Sequence, residues 1–144
     1  MGSGAICASP VNLIDIFPTL CDLTGLATPQ GIDGVSLVPA LDDASVNIQE
    51  YASSLYPNKG YMGIAIRTKQ FRYVAWYKGW KKPGWCGNRY RKEPEFVELY
   101  DYVQDPSETK NFSGQASYVE IEARMRQLSL QHVAYTQGKQ FREL

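Results

Sequence analysis

Hydrophobic and polar positions alternate with period two between Met62 and Tyr77. In the first arm Met62, Ile64 and Ile66 fall on one face, with Gly63 and Ala65 on the other. In the second arm Phe71, Tyr73, Ala75 and Tyr77 alternate with Arg72, Val74 and Trp76. β-branched and aromatic residues at this spacing predict two strands, and polar Thr68, Lys69 and Gln70 predict the turn between them. Both faces of the second arm carry large apolar groups, so each face requires a cover. Two more strands are expected. One runs from Glu50 to Tyr56 and ends at Pro57; the other runs from Phe96 to Tyr102, where Phe96, Glu98 and Tyr100 alternate against Val97, Leu99 and Asp101. Asn58-Lys59-Gly60 reads as loop and Asp105-Pro106-Ser107-Glu108 as a turn.

The period then changes. Tyr118, Ile121, Met125, Leu128, His132 and Tyr135 recur at the three-four spacing of one helical face. Ser117 and Glu120 have capping-box spacing at its start, and Gly138 is the expected stop. This helix is the predicted cover for one face of the sheet. A shorter helix is expected from a cap at Asp15 to about Thr24, with Pro18 in its first turn and Gly25 as its stop. Leu20, Cys21 and Leu23 make it apolar over much of its surface, which suits a helix buried inside something larger. Ser36 to Leu41 suggests a single helical turn, and Asp42 to Asn47 a polar link. The fold class is therefore α+β, with a small antiparallel sheet of about four strands packed on a C-terminal helix. The expected organisation is a tag or disordered start over 1–9, an apolar helix and linker over 10–48, and the sheet-plus-helix subdomain over 49–144. The second face of the sheet and the apolar first helix find no cover in this chain.

Composition narrows the function classes. The 144 residues are 44% hydrophobic and 21% charged, with 15 basic and 15 acidic side chains. That balance gives no net field toward nucleic acid or an anionic membrane, and no apolar run reaches spanning length. Ten tyrosines and three tryptophans suit an amphipathic sheet and also a surface that handles sugars. Cys7, Cys21 and Cys86 show no CxxC pair and no cysteine–histidine cluster, which argues against structural zinc. His132 is the sole histidine, and its place on a helical apolar stripe favours packing over a Ser-His-Asp triad. Asn111-Phe112-Ser113 matches an N-glycosylation sequon, meaningful only in a secreting eukaryotic host.

Several runs occur in an order that resembles the C-terminal part of type I sulfatases. They are Leu13-Ile-Asp-Ile-Phe-Pro-Thr-Leu-Cys-Asp-Leu-Thr-Gly-Leu26, Asp33-Gly-Val-Ser-Leu37, Ala52-Ser-Ser-Leu-Tyr-Pro57, Met62 to Trp76, Glu98-Leu-Tyr-Asp101 and Asp105-Pro-Ser-Glu-Thr-Lys-Asn111. Tyr56-Pro57 ahead of the Met62-Gly-x-x-Ile-Arg-Thr hairpin looks most like iduronate-2-sulfatase and its bacterial relatives. The resemblance implies a C-terminal subdomain of the alkaline-phosphatase-like sulfatase fold, docked on a large N-terminal catalytic domain that supplies the missing cover. It also implies hydrolysis of sulfate esters by a formylglycine, made from the cysteine or serine of a Cys-x-Pro-x-Arg motif, with calcium stabilising the sulfate oxygens. This chain departs from that pattern. Cys7-Ala-Ser-Pro10 has its proline one place late and no arginine after it, and neither Cys21 nor Cys86 is followed by the motif. No catalytic and no metal residue is therefore assigned. Calcium is expected only in the intact parent enzyme, and Asp15 reads as a helix cap.

The stretch 78–92 remains, rich in glycine, basic residues and aromatics. Trp80, Trp85 and Tyr90 could stack on sugar rings, and Lys81, Lys82, Arg89 and Arg91 could meet sulfate or carboxylate groups. The ordinary alternative is a solvated extension with its aromatics tucked against the parent domain. Arg67 and Arg72, flanking the turn, read as surface partners for nearby acids. Two functions stay open: the C-terminal part of a sulfatase acting on sulfated sugars, inactive alone, with 78–92 rimming the cleft; or a stand-alone module that binds sulfated glycans. The parent enzyme is expected in the periplasm, outside the cell or in lysosomes.

Overall fold

The computed structural model describes residues 4–78 and 93–140, with side chains through residue 135. The chain divides into two compact units between Ala52 and Ser53.

The second unit holds a four-stranded sheet in the order β1-β2-β3-β4. The strands are β1 (Ala52–Asn58), β2 (Tyr61–Arg67), β3 (Phe71–Lys78) and β4 (Phe96–Asp101). β2 and β3 pair antiparallel with Met62 opposite Tyr77, Ile64 opposite Ala75 and Ile66 opposite Tyr73. β4 continues the row, with Leu99 opposite Tyr73 and Asp101 opposite Phe71. The period-two pattern thus puts Met62, Ile64, Ile66, Tyr73, Tyr77 and Leu99 on one face, all buried. The predicted β2–β3 turn forms, with the Thr68 N–H donating to the Phe71 carbonyl at 2.9 Å.

β1 starts two residues later than expected and runs through Pro57 to Asn58, two residues past the expected last residue, Tyr56. It is an edge strand, where a missing N–H can face solvent. The expected loop after it is a two-residue hairpin turn instead. Lys59 (φ 45°) and Gly60 (φ 91°) are both left-handed, the combination whose twist matches paired strands.

The last helix, α3 (Val119–Gln140), packs on β3 and β2. Its buried side chains are Met125, Leu128, Ser129 and Val133. The predicted stripe is right at Met125 and Leu128 and drifts afterwards: His132 is half-buried and Tyr135 is 54% exposed. The helix passes through Gly138, a tolerable cost of about 1 kcal/mol for glycine inside a helix. It opens with a 3-10 turn, Ala116–Tyr118, whose N-cap Gln115 makes no side-chain cap bond. The expected Ser117 box gives way to Glu122, which reaches back to accept from the Ser113 hydroxyl and the Gly114 N–H.

Asp101 ends β4 on the helix side, 4% exposed. It accepts from Gln70 Nε2, the Val103 N–H and the Tyr118 hydroxyl, each at 3.0 Å. Burial pushes its pKa up, but these bonds outweigh burial and hold it below the ordinary aspartate value. It ties the β2–β3 turn, the end of β4 and the start of α3 together.

The first unit contains a 3-10 turn (Leu13–Asp15), α1 (Ile16–Thr24) and α2 (Val38–Asp42). Asp15 precedes α1 but makes no cap bond to it. Its carboxylate, 1% exposed, accepts from the Asn12 N–H at 2.7 Å, the Val35 N–H at 3.0 Å and Gln49 Nε2 at 3.0 Å. One turn on, Thr19 Oγ1 donates to the Asp15 carbonyl and accepts from the Leu37 N–H at 2.9 Å. The stretch 33–37 is thereby pinned to α1 so closely that a Cβ on Gly34 would lie 2.1 Å from the Ile14 carbonyl oxygen. As expected, Gly25 stops α1, its N–H bonding the Asp22 carbonyl. No helix among the described residues is long and apolar enough to cross a membrane.

Two outcomes are expected. Gly34→Ala forces backbone apart and destabilises the first unit by about 2 kcal/mol or more, read as a loss of amide-exchange protection at Val35 and Leu37. Asp101→Asn costs about 2 kcal/mol near neutral pH. Because the carboxyl's folded pKa is depressed, its contribution is full above the unfolded value and fades as pH falls through the folded one. The gap between wild type and Asp101→Asn in urea melts should therefore persist through the ordinary aspartate range and close only in stronger acid, as the depressed carboxyl takes up its proton.

Candidate functional site

The face of the sheet turned away from α3 carries the side chains at alternate positions: Gly63, Ala65 and Arg67 on β2, Arg72, Val74 and Trp76 on β3, Phe96, Glu98 and Tyr100 on β4. At one end the Trp76 ring stacks on Phe96 (centroids 5.7 Å, planes 26° apart) and meets Tyr56 edge-on at 6.3 Å. Phe96 also lies against Tyr61 at 5.4 Å. Gly63 makes room for the indole, since a Cβ there would come within 3.0 Å of it. Glu98 accepts from Trp76 Nε1 and from the Tyr100 hydroxyl, one bond to each carboxylate oxygen, both 3.0 Å.

The other end is charged. Arg72 pairs with Glu108, which also accepts from the Tyr102 hydroxyl. The Arg72 guanidinium carbon lies 4.8 Å from the Tyr100 ring centroid. Among the described residues Arg67 makes no ion pair with an acid, though Glu108 lies near enough to act on it. Its guanidinium carbon lies over the Tyr102 ring, 3.2 Å from the centroid, and burial draws its pKa down despite Glu108 nearby. Partial burial makes these contacts worth more than exposed ion pairs.

All six residues expected to bind substrate, Trp80, Lys81, Lys82, Trp85, Arg89 and Arg91, lie outside the described residues, as does Cys86. The structure describes the stems of that stretch. Lys78 pairs with Glu95 at 3.6 Å, Glu93 pairs with Arg126 of α3, and the Glu95 N–H bonds the Trp76 carbonyl at 2.8 Å. The stretch therefore springs from the aromatic end of the face. Sequence reasoning did not name Trp76, Phe96, Tyr56 and Tyr61 as a group. Its period-two pattern had put Trp76 opposite the helix face, which was the available signal.

No group of three or more His, Cys, Asp or Glu side chains among the described residues is placed to hold a metal ion. The carboxylates of Asp15 and Asp101 are each taken by three hydrogen bonds. These residues do not fit calcium. Burial lowers the pKa of His132 on α3, in keeping with a packed histidine. The face offers stacking surface and charge, the chemistry of binding or docking.

On the first unit, the 3-10 turn and α1 together show a row of exposed hydrophobes: Leu13 (86% exposed) in the turn, then Ile16, Phe17 and Leu20 (51–54%) and Leu23 (47%). Their three-four spacing is a helical stripe with no cover among the described residues of the first unit, larger than scattered surface apolars would be.

Comparison with known proteins gives the family. Residues 3–134 match the family model for the C-terminal region of N-sulphoglucosamine sulphohydrolase. Bovine arylsulfatase K is 27% identical over 130 residues, covering 83% of this chain and 21% of that protein. The delta 4,5-hexuronate-2-O-sulfatase of Bacteroides thetaiotaomicron is 30% identical over 121 residues, covering 80% and 22%. A structure solved in complex with its substrate, D-glucosamine-2-N,6-O-disulfate, superposes with TM-score 0.63 at 25% identity, over 82% of this chain and 23% of that one. The chain spans about a fifth of the length of the curated relatives it matches. Sheet, helix and family match agree, and this chain belongs to the sulfatase C-terminal family, with the small sheet-and-helix subdomain of the alkaline-phosphatase-like sulfatase fold.

Proposed function

We propose that the chain is the C-terminal part of a sulfatase that hydrolyses sulfate esters of sugars, and that it supports an N-terminal catalytic domain and is inactive alone. The observation that carries this is the exposed stripe Leu13, Ile16, Phe17, Leu20 and Leu23 on a chain equivalent to a fifth of its relatives. A helix of that composition is stable in water only when another surface covers it. The aromatic end of the open sheet face is the second such surface. The nucleophile and the calcium site of the reaction then belong to the N-terminal domain, since this chain has no Cys-x-Pro-x-Arg and its described carboxylates do not fit the ion. The stretch 78–92 rims the substrate cleft. Its support is its root beside Trp76 and Phe96 and its basic–aromatic mix. The substrate class follows from relatives whose own names specify sulfated hexuronate and glucosamine.

Two measurements test the reading. The chain alone should bind a hydrophobic dye, associate with rising concentration and leave a fluorogenic aryl sulfate intact. A monomer that ignores the dye and unfolds cooperatively would instead be a stand-alone module. In the full-length enzyme, Arg89→Ala with Arg91→Ala should raise KM for a sulfated hexuronate or glucosamine about tenfold with little change in kcat, the loss of a charge-assisted contact to substrate. An unchanged KM removes 78–92 from the cleft.

A further inference from the structure

Arg67 and Arg72 stand opposite each other across the β2–β3 pair, on the side of the sheet turned away from α3. Like charges directly opposite on one face repel, so the pair needs negative charge close by. One carboxylate is there. Glu108 takes Arg72 Nη2 on one oxygen and the Tyr102 hydroxyl on the other. Tyr102 thus occupies the oxygen that Arg67 would use, and its ring carries the Arg67 guanidinium instead. The other acid on this face, Glu98, has its oxygens taken by Trp76 and Tyr100. None of the N–H donors of the Arg67 guanidinium has an acceptor among the described residues of its unit. Arg72 Nε is a further donor at this end, buried without a partner among the described residues.

This end of the face therefore holds two cations and one carboxylate, and Arg67 is half-buried. A guanidinium taken from water without an acid loses hydration and gains no ion pair in return. Burial, with the Arg72 charge in support, draws its pKa down against the pull of Glu108. The second unit has no further acid to offer. All its acidic residues are described except Glu143, which follows α3 in sequence, and α3 packs on the opposite face. The stretch 79–92 contains no aspartate and no glutamate.

We propose that Arg67 is the polar anchor of the interface with the N-terminal catalytic domain, and that it receives the carboxylate of an aspartate or glutamate side chain of that domain. The inference rests on the docking reading above. Charge and continuity select this occupant. Arg67 shares its face with Trp76, Phe96 and Tyr56, the aromatic end that the same domain covers in that reading. A carboxylate meets a guanidinium through two parallel N–H···O bonds, and arginine suits ion pairs that lose water at an interface. Arg67 lies four residues along β2 from Gly63, about 13 Å at the rise of a strand. Gly63 is under Trp76, at the end from which 78–92 springs. That separation assigns Arg67 to the domain contact and not to a sugar bound at that rim. Tyr102 holds the guanidinium before docking, so little side-chain freedom is lost when the acid arrives.

The test compares one substitution in two settings. In the full-length enzyme Arg67→Met should speed amide exchange over 61–78 about tenfold, the equivalent of one lost charge-assisted hydrogen bond. In the 144-residue chain on its own exchange should stay within about twofold, since methionine keeps a contact with the Tyr102 ring and only an unpaired charge is lost. Arg67→Lys, which keeps the charge, should restore most of the protection in the full-length enzyme. Arg67→Glu should lose more than Arg67→Met there, and arginine in place of one acid of the N-terminal domain should recover it, which identifies the partner. Equal loss in both settings makes Arg67 part of the chain's own fold and overturns the proposal. Loss in neither setting, or recovery by an acid within residues 1–52, also overturns it. Leu20→Ser in the full-length enzyme separates the two levels. If it loosens the first unit while Arg67→Met changes nothing, the docking reading stands and the anchor falls. If neither substitution is felt, docking itself is wrong.

Discussion

The second unit rests on one sealed face. Ile64, Ile66, Tyr73 and Leu99 are each at most 1% exposed, and they lie on three adjacent strands in one register. A shift of one residue in any pairing would turn these side chains to the other face, so the register and the core are one constraint. Helix α3 can satisfy it only by laying Met125, Leu128 and Val133 across that face. The Ser129 hydroxyl is caught beneath without a partner among the described residues, a cost the apolar contacts around it must offset. Everything on the opposite face is free of this demand. That is where the sheet can hold Arg67, Arg72, Glu98 and a row of aromatic rings.

Polar side chains then fix what the apolar face leaves loose. Asp101 gathers Gln70, Val103 and Tyr118 at one end of the sheet. Glu108 sits in the left-handed region at φ 54°, uncommon for a residue with a Cβ. It is held there by what its carboxylate gathers, Arg72 and the Tyr102 hydroxyl. Such strain persists when the surroundings over-determine it. Here those partners come from β3 and from the residue just past β4, the strands the 102–112 return has to span.

How much of this was legible follows from where each signal lives. The β2–β3 hairpin and its helix-facing row were readable because period two is written in adjacent residues. So was α1 with its stop at Gly25. Pro57 was misread because its tolerance depends on β1 being an edge, a fact of topology that local sequence does not carry. Asp15 was read as a cap because the residues that use it, Val35 and Gln49, are 20 and 34 positions away. Ser117 was read as half of a capping box, but Glu122 reached back to Ser113 and Gly114 first. In α3 the three-four pattern named Met125 and Leu128 and then followed His132 and Tyr135, whereas the sheet beneath selects Ser129 and Val133. The substrate-binding expectations all fell within 78–92 and so received no structural account. The aromatic cluster at its root was missed because Tyr56, Tyr61, Trp76 and Phe96 come from four strands.

The first unit inverts the usual distribution. Among its described residues the buried ones are Pro10, Asp15, Pro18, Thr19 and Cys21. Its internal ties run from carboxylate, hydroxyl and amide side chains to backbone: Asp15 to Asn12 and Val35, Thr19 to Leu37, Ser9 to Ile48, Gln49 to Pro10. Its large hydrophobes face out. An autonomous unit would do the reverse, because burying apolar surface is the main favourable term in folding and hydrogen bonds return little net. A segment that is stiffened by polar ties and leaves Leu13, Ile16, Phe17 and Leu20 outward is preorganised for a surface it does not contain. The ordering entropy of the loop 33–37 is already met by Asp15 and Thr19. Covering the stripe then contributes its full apolar area to docking. That is why the exposed stripe, and not the charged cluster on the sheet, carries the case for a missing catalytic domain. Glutamate and tyrosine on the sheet are satisfied among themselves, while the stripe along the start of the first unit finds no cover among that unit's described residues.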